Sequence, residues 1–258
     1  MRPLRIGCVK YLNSRPLIYG WPGPVDFDHP SALCQKLARG DLDVALVSSI
    51  EYLRHPQYQV VEGVSVSAFG PVHSVILAHP GGIQSGEEIE LDPASETSAA
   101  LLRCLLADRQ SRSRLADGGV LQSEKSQGSA ARSRLLIGDQ AIRFREVHPD
   151  LPFSDLAEVW KEVTGLPFVF ALWLIRPEVA DSAGIAGELR RLRDENLLRL
   201  DEICDREEEF PAGFCRNYFR INLRFGFDAY EKAGLLEFHR RCLACGLDVA
   251  SKVDLKTV

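Results

Sequence analysis

The sequence contains no hydrophobic run long enough to cross a membrane. Its longest apolar run, Phe168–Ile175, has eight residues, whereas a membrane-spanning helix needs about 20. Near the amino terminus, Arg5 and Lys10 enclose a very short apolar segment, so the apolar core of a secretory signal peptide is lacking. These absences argue against a membrane partner and predict a protein of the cytoplasm.

The sequence also lacks an excess of basic residues. It has 31 Lys and Arg residues against 36 Asp and Glu residues, a net charge of −5, whereas a nucleic-acid-binding domain needs a concentrated basic surface. We therefore expect no nucleic-acid partner. The 258 residues, of which 45% are hydrophobic and 26% charged, suffice for one large globular domain or for two lobes.

Motifs that hold cofactors or metals are lacking as well. The Gly-rich loops that bind dinucleotides or phosphates are absent. Of the seven cysteines only Cys242 and Cys245 lie close in sequence, and a single pair does not make a zinc motif. Scattered cysteines of odd number, without an export signal, indicate reduced thiols. The sequence thus predicts no cofactor and no metal site.

Short apolar runs predict buried strands in this chain. Three of them are Ile6–Val9, Val44–Val47 and Leu135–Ile137. Two longer runs, Val72–Ala78 and Phe168–Ile175, predict strands that connect two groups of strand–helix units. The pattern predicts an α/β fold of two lobes with a ligand cleft between them, lobe one comprising residues 1–75 and 176–258 and lobe two residues 76–175.

Polar residues cluster where these predicted strands end. They are Tyr11, Asn13, Ser14 and Arg15, then Ser48 and Ser49, then Ser74, then Ser95, Thr97 and Ser98 at a predicted helix start, and finally Gly138 and Asp139. Open α/β sheets place ligand sites at such ends. Each group alone also fits helix capping, as in the capping-box pattern of Ser48 with Glu51 or a cap at Asp139. Their convergence on one cleft favours a ligand site, and surplus hydroxyls at helix starts suit a carboxylate.

The motifs that contain these residues resemble those of the chorismate dehydratases of the futalosine route to menaquinone. The resemblance rests on YLNSRPL at Tyr11–Leu17, DVALVSSIEYLR at Asp43–Arg54, GPVHSVIL at Gly70–Leu77, LDPASETSAALL at Leu91–Leu102, LLIGDQAI at Leu135–Ile142 and WKEVTGLPFVFALW at Trp160–Trp173. Ala94 and Glu96 depart from the residues expected there. The resemblance implies a periplasmic-binding-protein-like fold of type II and a cytoplasmic hydro-lyase that acts on the small dicarboxylate chorismate.

The resemblance implies Asn13 and Ser74 as the residues most directly involved in catalysis. Because neither is basic at neutral pH, we expect the substrate's own enolpyruvyl carboxylate to accept the proton, with Asp139 as the alternative within the protein. His73 is expected to point away from Ser74, since the two are neighbours on one predicted strand. The expected substrate-binding residues are Tyr11, Ser14, Arg15, Ser48, Ser49, Ser95, Thr97, Ser98 and Gly138. For Arg15, contact with the anion and exposure to solvent stay equally open.

Two other functions are open at this stage. A non-catalytic receptor for a small anion would share the fold, but the missing export signal counts against it. The sister enzyme that forms the naphthoate ring has a different opening motif and a histidine where this chain has Gly138 and Asp139. The sequence leaves the oligomeric state open between a monomer and a homodimer.

Overall fold

The structure, a computed structural model, describes residues 3–79, 89–92, 96–108 and 133–258. Within these ranges the chain forms two separate sheets surrounded by helices. No helix in the described ranges is both long and apolar enough to cross a membrane.

The larger sheet has five strands in the order β2-β1-β3-β8-β4. Their bounds are Ile6–Val9 for β1, Val25–Asp28 for β2, Val44–Ser48 for β3, Gln59–Ala68 for β4 and Phe168–Ile175 for β8. Strand β1 pairs in parallel with β2 and β3, whereas β8 runs antiparallel to β3 and β4. Because Ser48 pairs with Ala171, the carboxyl end of β3 lies beside the amino-terminal half of β8.

The smaller sheet has three strands in the order β6-β5-β7. Their bounds are Val75–Ala78 for β5, Arg134–Ile137 for β6 and Phe153–Asp155 for β7. Both β6 and β7 run antiparallel to β5. Since Val75 pairs with Ile137, the start of β5 lies beside the end of β6.

Helices surround the two sheets and connect their strands. They span Arg15–Ile18, Pro30–Arg39, Ser49–Arg54, Glu96–Ala107, Gly138–Val147, Leu156–Thr164, Ser182–Leu198, Leu200–Asp205, Ala212–Asn217 and Ala229–Ala244, with a 3₁₀ turn at Leu12–Ser14 and a π-helical turn at Tyr218–Asn222. The last α-helix begins with a capping box in which Asp228 and Glu231 bond reciprocally to the backbone.

Of the two long strands predicted from the sequence, Phe168–Ile175 has the predicted bounds, whereas the other is shorter than predicted. Strand β8 pairs with β3 and β4 of the five-stranded sheet, although the predicted boundary after residue 175 assigns it to lobe two. The predicted strand Val72–Ala78 begins only at Val75, because His73 adopts a left-handed conformation with φ of 63°. The exact division of the chain into lobes stays a prediction.

An aromatic cluster packs the last long helix against β8. Phe168 contacts Trp160 and Phe238 with ring centroids 5.3 and 4.9 Å apart, and all three side chains are buried. At Gly234 the helix backbone comes so close to Pro167 that an added Cβ would overlap its carbonyl oxygen. The absence of a side chain at this position allows the contact.

Replacing Gly234 by alanine should therefore destabilise the fold, although alanine favours a helix interior over glycine by about 1 kcal/mol. The overlap with the backbone of Pro167 should lower the free energy of unfolding by about 1–3 kcal/mol. Unfolding in urea measures this change in the free energy of unfolding. As a control, Gly187→Ala in the helix Ser182–Leu198, where nothing lies within 4 Å of an added Cβ, should stabilise by about 0.5–1 kcal/mol. Equal effects at both positions would contradict the packing argument.

Candidate functional site

A cavity that opens to solvent lies where strand ends of the two sheets meet, with about 510 Å³ of empty space when its open mouth is included. The larger sheet contributes Val9, Ser48, Phe170 and Ala171, and the smaller sheet contributes Val75 and Ile137.

The lining combines an apolar wall with neutral hydrogen-bonding groups. The apolar residues are Val9, Pro30, Val75, Ile137, Phe170 and Ala171, and the polar side chains are Tyr11, Asn13, Ser48, Ser74, Thr97 and Ser98. Among the described lining residues, none carries a charged side chain. An apolar wall suits a carbon ring, and the neutral donors suit oxygen atoms at its rim.

Asn13 lies in the 3₁₀ turn that follows β1 and lines the cavity. Its Oδ1 atom is shielded from solvent and has no hydrogen-bond partner in the described part of the chain. A buried acceptor without a partner is costly unless a ligand supplies the donor. The turn is held by Ser14, whose Oγ donates to the carbonyl oxygen of Val9 over 2.6 Å and also lies 2.8 Å from that of Tyr11. The hydroxyl of Ser14 therefore shapes the turn and does not line the cavity.

Tyr11 and Gly138 line the cavity side by side. The Tyr11 ring lies so close to Gly138 that an added Cβ would be 2.8 Å from it, and Gly138 has a φ of 56°. Both the close contact and the left-handed backbone require glycine at this position. The Tyr11 hydroxyl lies 3.3 Å from Nδ1 of His29, and burial raises the pKa of this phenol.

Ser74 is buried immediately before β5 and lines the cavity. The amide of Gly138 donates to the carbonyl oxygen of Ser74 over 2.7 Å. The phenol of Tyr218 donates to its Oγ atom, also over 2.7 Å. Tyr218 was missed by the sequence analysis, because nothing in the pattern around residue 218 marks its hydroxyl as a neighbour of Ser74.

His73 does not lie on a strand beside Ser74. The prediction that the two side chains point to opposite faces of a strand therefore rests on a wrong assumption. His73 occupies a left-handed position in the turn before β5, and its Nδ1 contacts the guanidinium of Arg145. It is nevertheless not among the described residues that line the cavity.

Ser48 is the last residue of β3 and Ser49 is the first residue of the helix after it, and their hydroxyl groups have different roles. The predicted capping box of Ser48 with Glu51 is wrong, because Ser48 makes no side-chain capping bond and instead lines the cavity. Glu51 is buried, and this burial raises its pKa. Ser49 donates through Oγ to the carbonyl oxygen of Val169 over 2.7 Å. Its hydroxyl therefore joins the helix start to β8 and is not a lining group.

Thr97 and Ser98 belong to the first turn of the helix Glu96–Ala107, and both line the cavity. Oγ1 of Thr97 accepts the backbone N–H of Ile50 over 3.2 Å, which joins this helix to the one that starts at Ser49. Ser95, which the sequence predicts as a substrate-binding residue, lies outside the described residues.

Arg15 and Asp139 lie next to the cavity without lining it. Arg15 is partly exposed and its Nε lies 3.5 Å from Oε2 of Glu207, whose side chain is largely buried, so its guanidinium faces this carboxylate. Asp139 accepts the backbone N–H of Leu12 over 2.8 Å. Burial raises the pKa of Asp139, and the bond from Leu12 together with the charge of Arg143 offsets part of that increase.

A model of the menaquinone biosynthesis family matches residues 4–244 of this chain. The chain belongs to this family. A chorismate dehydratase of Thermus thermophilus is 30% identical over 92% of this chain and 94% of the relative. A chorismate dehydratase of Campylobacter jejuni is 29% identical over 62% of this chain and 58% of the relative.

Solved structures similar to this member of the menaquinone biosynthesis family show its fold. A protein of Archaeoglobus fulgidus has a TM-score of 0.64 at 16% identity, covering 94% of this chain and 97% of that one. A Candida albicans protein described as having the generic periplasmic binding protein fold has a TM-score of 0.58 at 9% identity, covering 98% and 92%. The periplasmic aliphatic sulphonate binding protein of Escherichia coli has a TM-score of 0.54 at 16% identity, covering 98% and 95%. These likenesses confirm the predicted α/β fold of the periplasmic-binding-protein type.

Within the described ranges, no group of three or more His, Cys, Asp or Glu residues could hold a metal ion. The lining groups are hydroxyls, an amide and a phenol, which bind and orient oxygen-bearing ligands through hydrogen bonds.

Gly138→Ala should destabilise the fold more than a glycine replacement that strains the backbone alone. The left-handed φ should cost about 1–2 kcal/mol, and the overlap with the Tyr11 ring should add about 1–3 kcal/mol. Gly63→Ala is the matched control, since Gly63 has a φ of 75° but nothing within 4 Å of an added Cβ. Urea unfolding of both variants separates strain from overlap, and equal losses would contradict the close contact with Tyr11.

Asp139→Asn should gain stability relative to the wild type as the pH rises. Because burial raises the pKa of Asp139 in the folded chain, its contribution to stability is present at low pH. It is lost as the pH rises above the unfolded-state pKa of about 3.9. The asparagine does not titrate and keeps an acceptor for the N–H of Leu12. Unfolding free energies of both proteins over a pH series test this, and a constant difference or the opposite slope would contradict it.

Proposed function

We propose that this chain is a chorismate dehydratase, a hydro-lyase that converts chorismate to 3-[(1-carboxyvinyl)oxy]benzoate and water in the futalosine route to menaquinone. The observation that carries the proposal is the 30% identity to a chorismate dehydratase over 92% of this chain. The cavity supports it, since Asn13 and Ser74, the two residues implied in catalysis, both line it. A cytoplasmic location and a monomeric or homodimeric state stay predictions.

The reaction breaks two bonds on neighbouring ring carbons. The carbon that bears the enolpyruvyl ether loses its proton, and the electron pair of that C–H bond enters the ring. The adjacent carbon loses its hydroxyl group with the electron pair of the C–O bond, and this group leaves as water with, overall, the proton that the first carbon has lost. The product ring is aromatic, so the elimination is strongly driven once it begins. The protein therefore has to orient the ring, stabilise charge and assist the leaving hydroxyl.

Negative charge spreads onto the ring carboxylate as the proton leaves, because the broken C–H bond is vinylogous to it. Neutral donors aimed at this carboxylate stabilise the transition state, and one such donor is typically worth about 3 kcal/mol. Ser48, Thr97 and Ser98 line the cavity at the starts of two helices. Helix starts present free N–H groups and a positive dipole end, which suit a carboxylate.

The proton acceptor is, in this proposal, the enolpyruvyl carboxylate of the substrate itself. The described lining residues carry amide, hydroxyl and phenol groups, none of which is basic at neutral pH. Asp139 is the nearest protein alternative, but its carboxylate accepts the N–H of Leu12 and it is not a described lining residue. Asn13 then orients the substrate, because its unpaired Oδ1 can accept a hydrogen bond from the hydroxyl group of the bound substrate before that group leaves.

Incubation of the purified protein with chorismate, followed by mass spectrometry, tests the proposal. We expect a product lighter by one water with an aromatic absorption spectrum. Binding of chorismate without conversion would indicate the anion receptor instead. No change in chorismate, together with conversion of a different substrate to a naphthoate product in a separate incubation, would indicate the sister enzyme.

Asn13→Ala should lower kcat/KM for chorismate by about 100-fold or more, since it removes a group that contacts the reacting part of the substrate. Arg15→Ala is the matched control, because Arg15 follows in the same segment but pairs with Glu207 outside the cavity. We expect its kcat/KM to stay close to that of the wild type. Undiminished activity of Asn13→Ala would remove this residue from the site.

A further inference from the structure

A π-helical turn at Tyr218–Asn222 contacts the segment that carries Ser74. The phenol of Tyr218 donates to Oγ of Ser74 over 2.7 Å, and Nδ2 of Asn222 donates to the carbonyl oxygen of Pro71 over 2.8 Å. π-Helical turns are rare and often occur at functional sites. This one brings two side chains onto the turn that precedes β5, although they lie 144 and 151 residues further along the chain than their partners.

The backbone around Ser74 is held from two further directions. Oδ2 of Asp155 accepts the N–H groups of Val72 and His73 over 2.9 and 2.7 Å. The N–H of Gly138 donates to the carbonyl oxygen of Ser74 over 2.7 Å. The backbone at Ser74 is therefore held in place, and its side chain keeps only the rotations about χ1 and about the Cβ–Oγ bond. The bond to Tyr218 restrains both of them.

The bond from Tyr218 decides where the Ser74 proton points. A phenol is a stronger acid than an alcohol, so the Tyr218 hydroxyl is the better donor and Ser74 Oγ is the acceptor. Tyr218 is buried, and a buried hydroxyl needs the partner that it has found. With one lone pair of Oγ facing Tyr218, the O–H of Ser74 has to point elsewhere, and Ser74 lines the cavity.

We propose that Tyr218 is a positioning residue that fixes Ser74 as a hydrogen-bond donor towards the ligand. The inference rests on the proposed function and deepens it: Ser74 donates to an oxygen of the substrate and does not accept a proton from it. An oxygen that gains negative charge, on the leaving hydroxyl or a carboxylate, benefits most from a donor whose orientation is set before the reaction starts.

Tyr218 also has an ordinary packing role that has to be separated from this one. Its ring stacks on Phe214 with centroids 5.6 Å apart and an interplanar angle of 15°. Tyr218→Phe keeps that ring and removes only the hydroxyl, so the packing is retained. The Ser74 hydroxyl then loses its acceptor role and can turn away from the ligand.

Tyr218→Phe should lower kcat for chorismate about tenfold with little change in KM, because the donor is lost from the transition state more than from the bound substrate. Tyr52→Phe is the matched control. It removes a buried phenol that bonds to the backbone of Asp254 and Lys256, away from the cavity. We expect that variant to lose stability while its kcat stays unchanged.

A double-variant comparison separates action through Ser74 from a general structural effect. In a Ser74→Ala background the hydroxyl that Tyr218 orients is gone, so adding Tyr218→Phe should change kcat by less than about twofold. This comparison needs only Ser74→Ala and the double variant, and in the double variant both hydroxyl groups are gone, so neither is left unpaired. It therefore holds even where Tyr218→Phe alone folds poorly.

The outcomes are distinct. A Tyr218→Phe enzyme with wild-type kcat, or a further large loss of kcat in the Ser74→Ala background, would overturn the positioning role while the proposed function stands. A wild-type protein that does not convert chorismate would overturn the proposed function and the role of Tyr218 together. A fall in kcat for Tyr52→Phe as large as that for Tyr218→Phe would show that the effect comes from stability.

Discussion

The site depends on one contact, the close approach of Gly138 and Asp139 to the turn after β1. These two residues begin the helix that follows β6. Tyr11 packs on Gly138 where no Cβ would fit, and Asp139 accepts the N–H of Leu12 over 2.8 Å. The N–H of Gly138 also bonds to the carbonyl oxygen of Ser74. One dipeptide at the end of β6 thus joins the end of β1 in the larger sheet to the start of β5 in the smaller sheet. The cavity forms where these ends meet.

The strand cores and most of the polar strand ends could be predicted from the sequence because their signals are local. The runs Ile6–Val9 and Phe168–Ile175 match β1 and β8 residue for residue, since uninterrupted apolar runs of this length are typical of buried strands. The sheet to which β8 belongs depends on pairing with distant strands, which a local pattern does not record. For the same reason, the turn at His73 escaped prediction, as it is held by the distant carboxylate of Asp155.

Backbone hydrogen-bond acceptors determine which polar side chains face the cavity. Some of these acceptors are distant in sequence, and others depend on the detailed geometry of a turn. Ser48 and Ser49 are neighbours of the same type, yet Ser48 lines the cavity and Ser49 bonds to Val169, which is 120 residues away. Ser14 bonds to the turn that presents Asn13. Composition and spacing identify such hydroxyls as surplus to capping, but only the folded chain determines which of them has a backbone acceptor within reach. Tyr218 is the extreme case, since its function depends wholly on a contact with Ser74.

The neutral character of the described lining has a chemical consequence for a dianionic substrate. An arginine or lysine beside a carboxylate lowers its pKa and makes it a weaker base. Hydroxyl groups and helix N–H groups hold a carboxylate in place with a smaller loss of basicity, because they carry no full charge. A substrate carboxylate bound in this way keeps more of its ability to accept the ring proton. Since the cavity presents such donors and Arg15 is turned to Glu207, the arrangement favours a reaction in which the protein orients and stabilises while the substrate supplies the base.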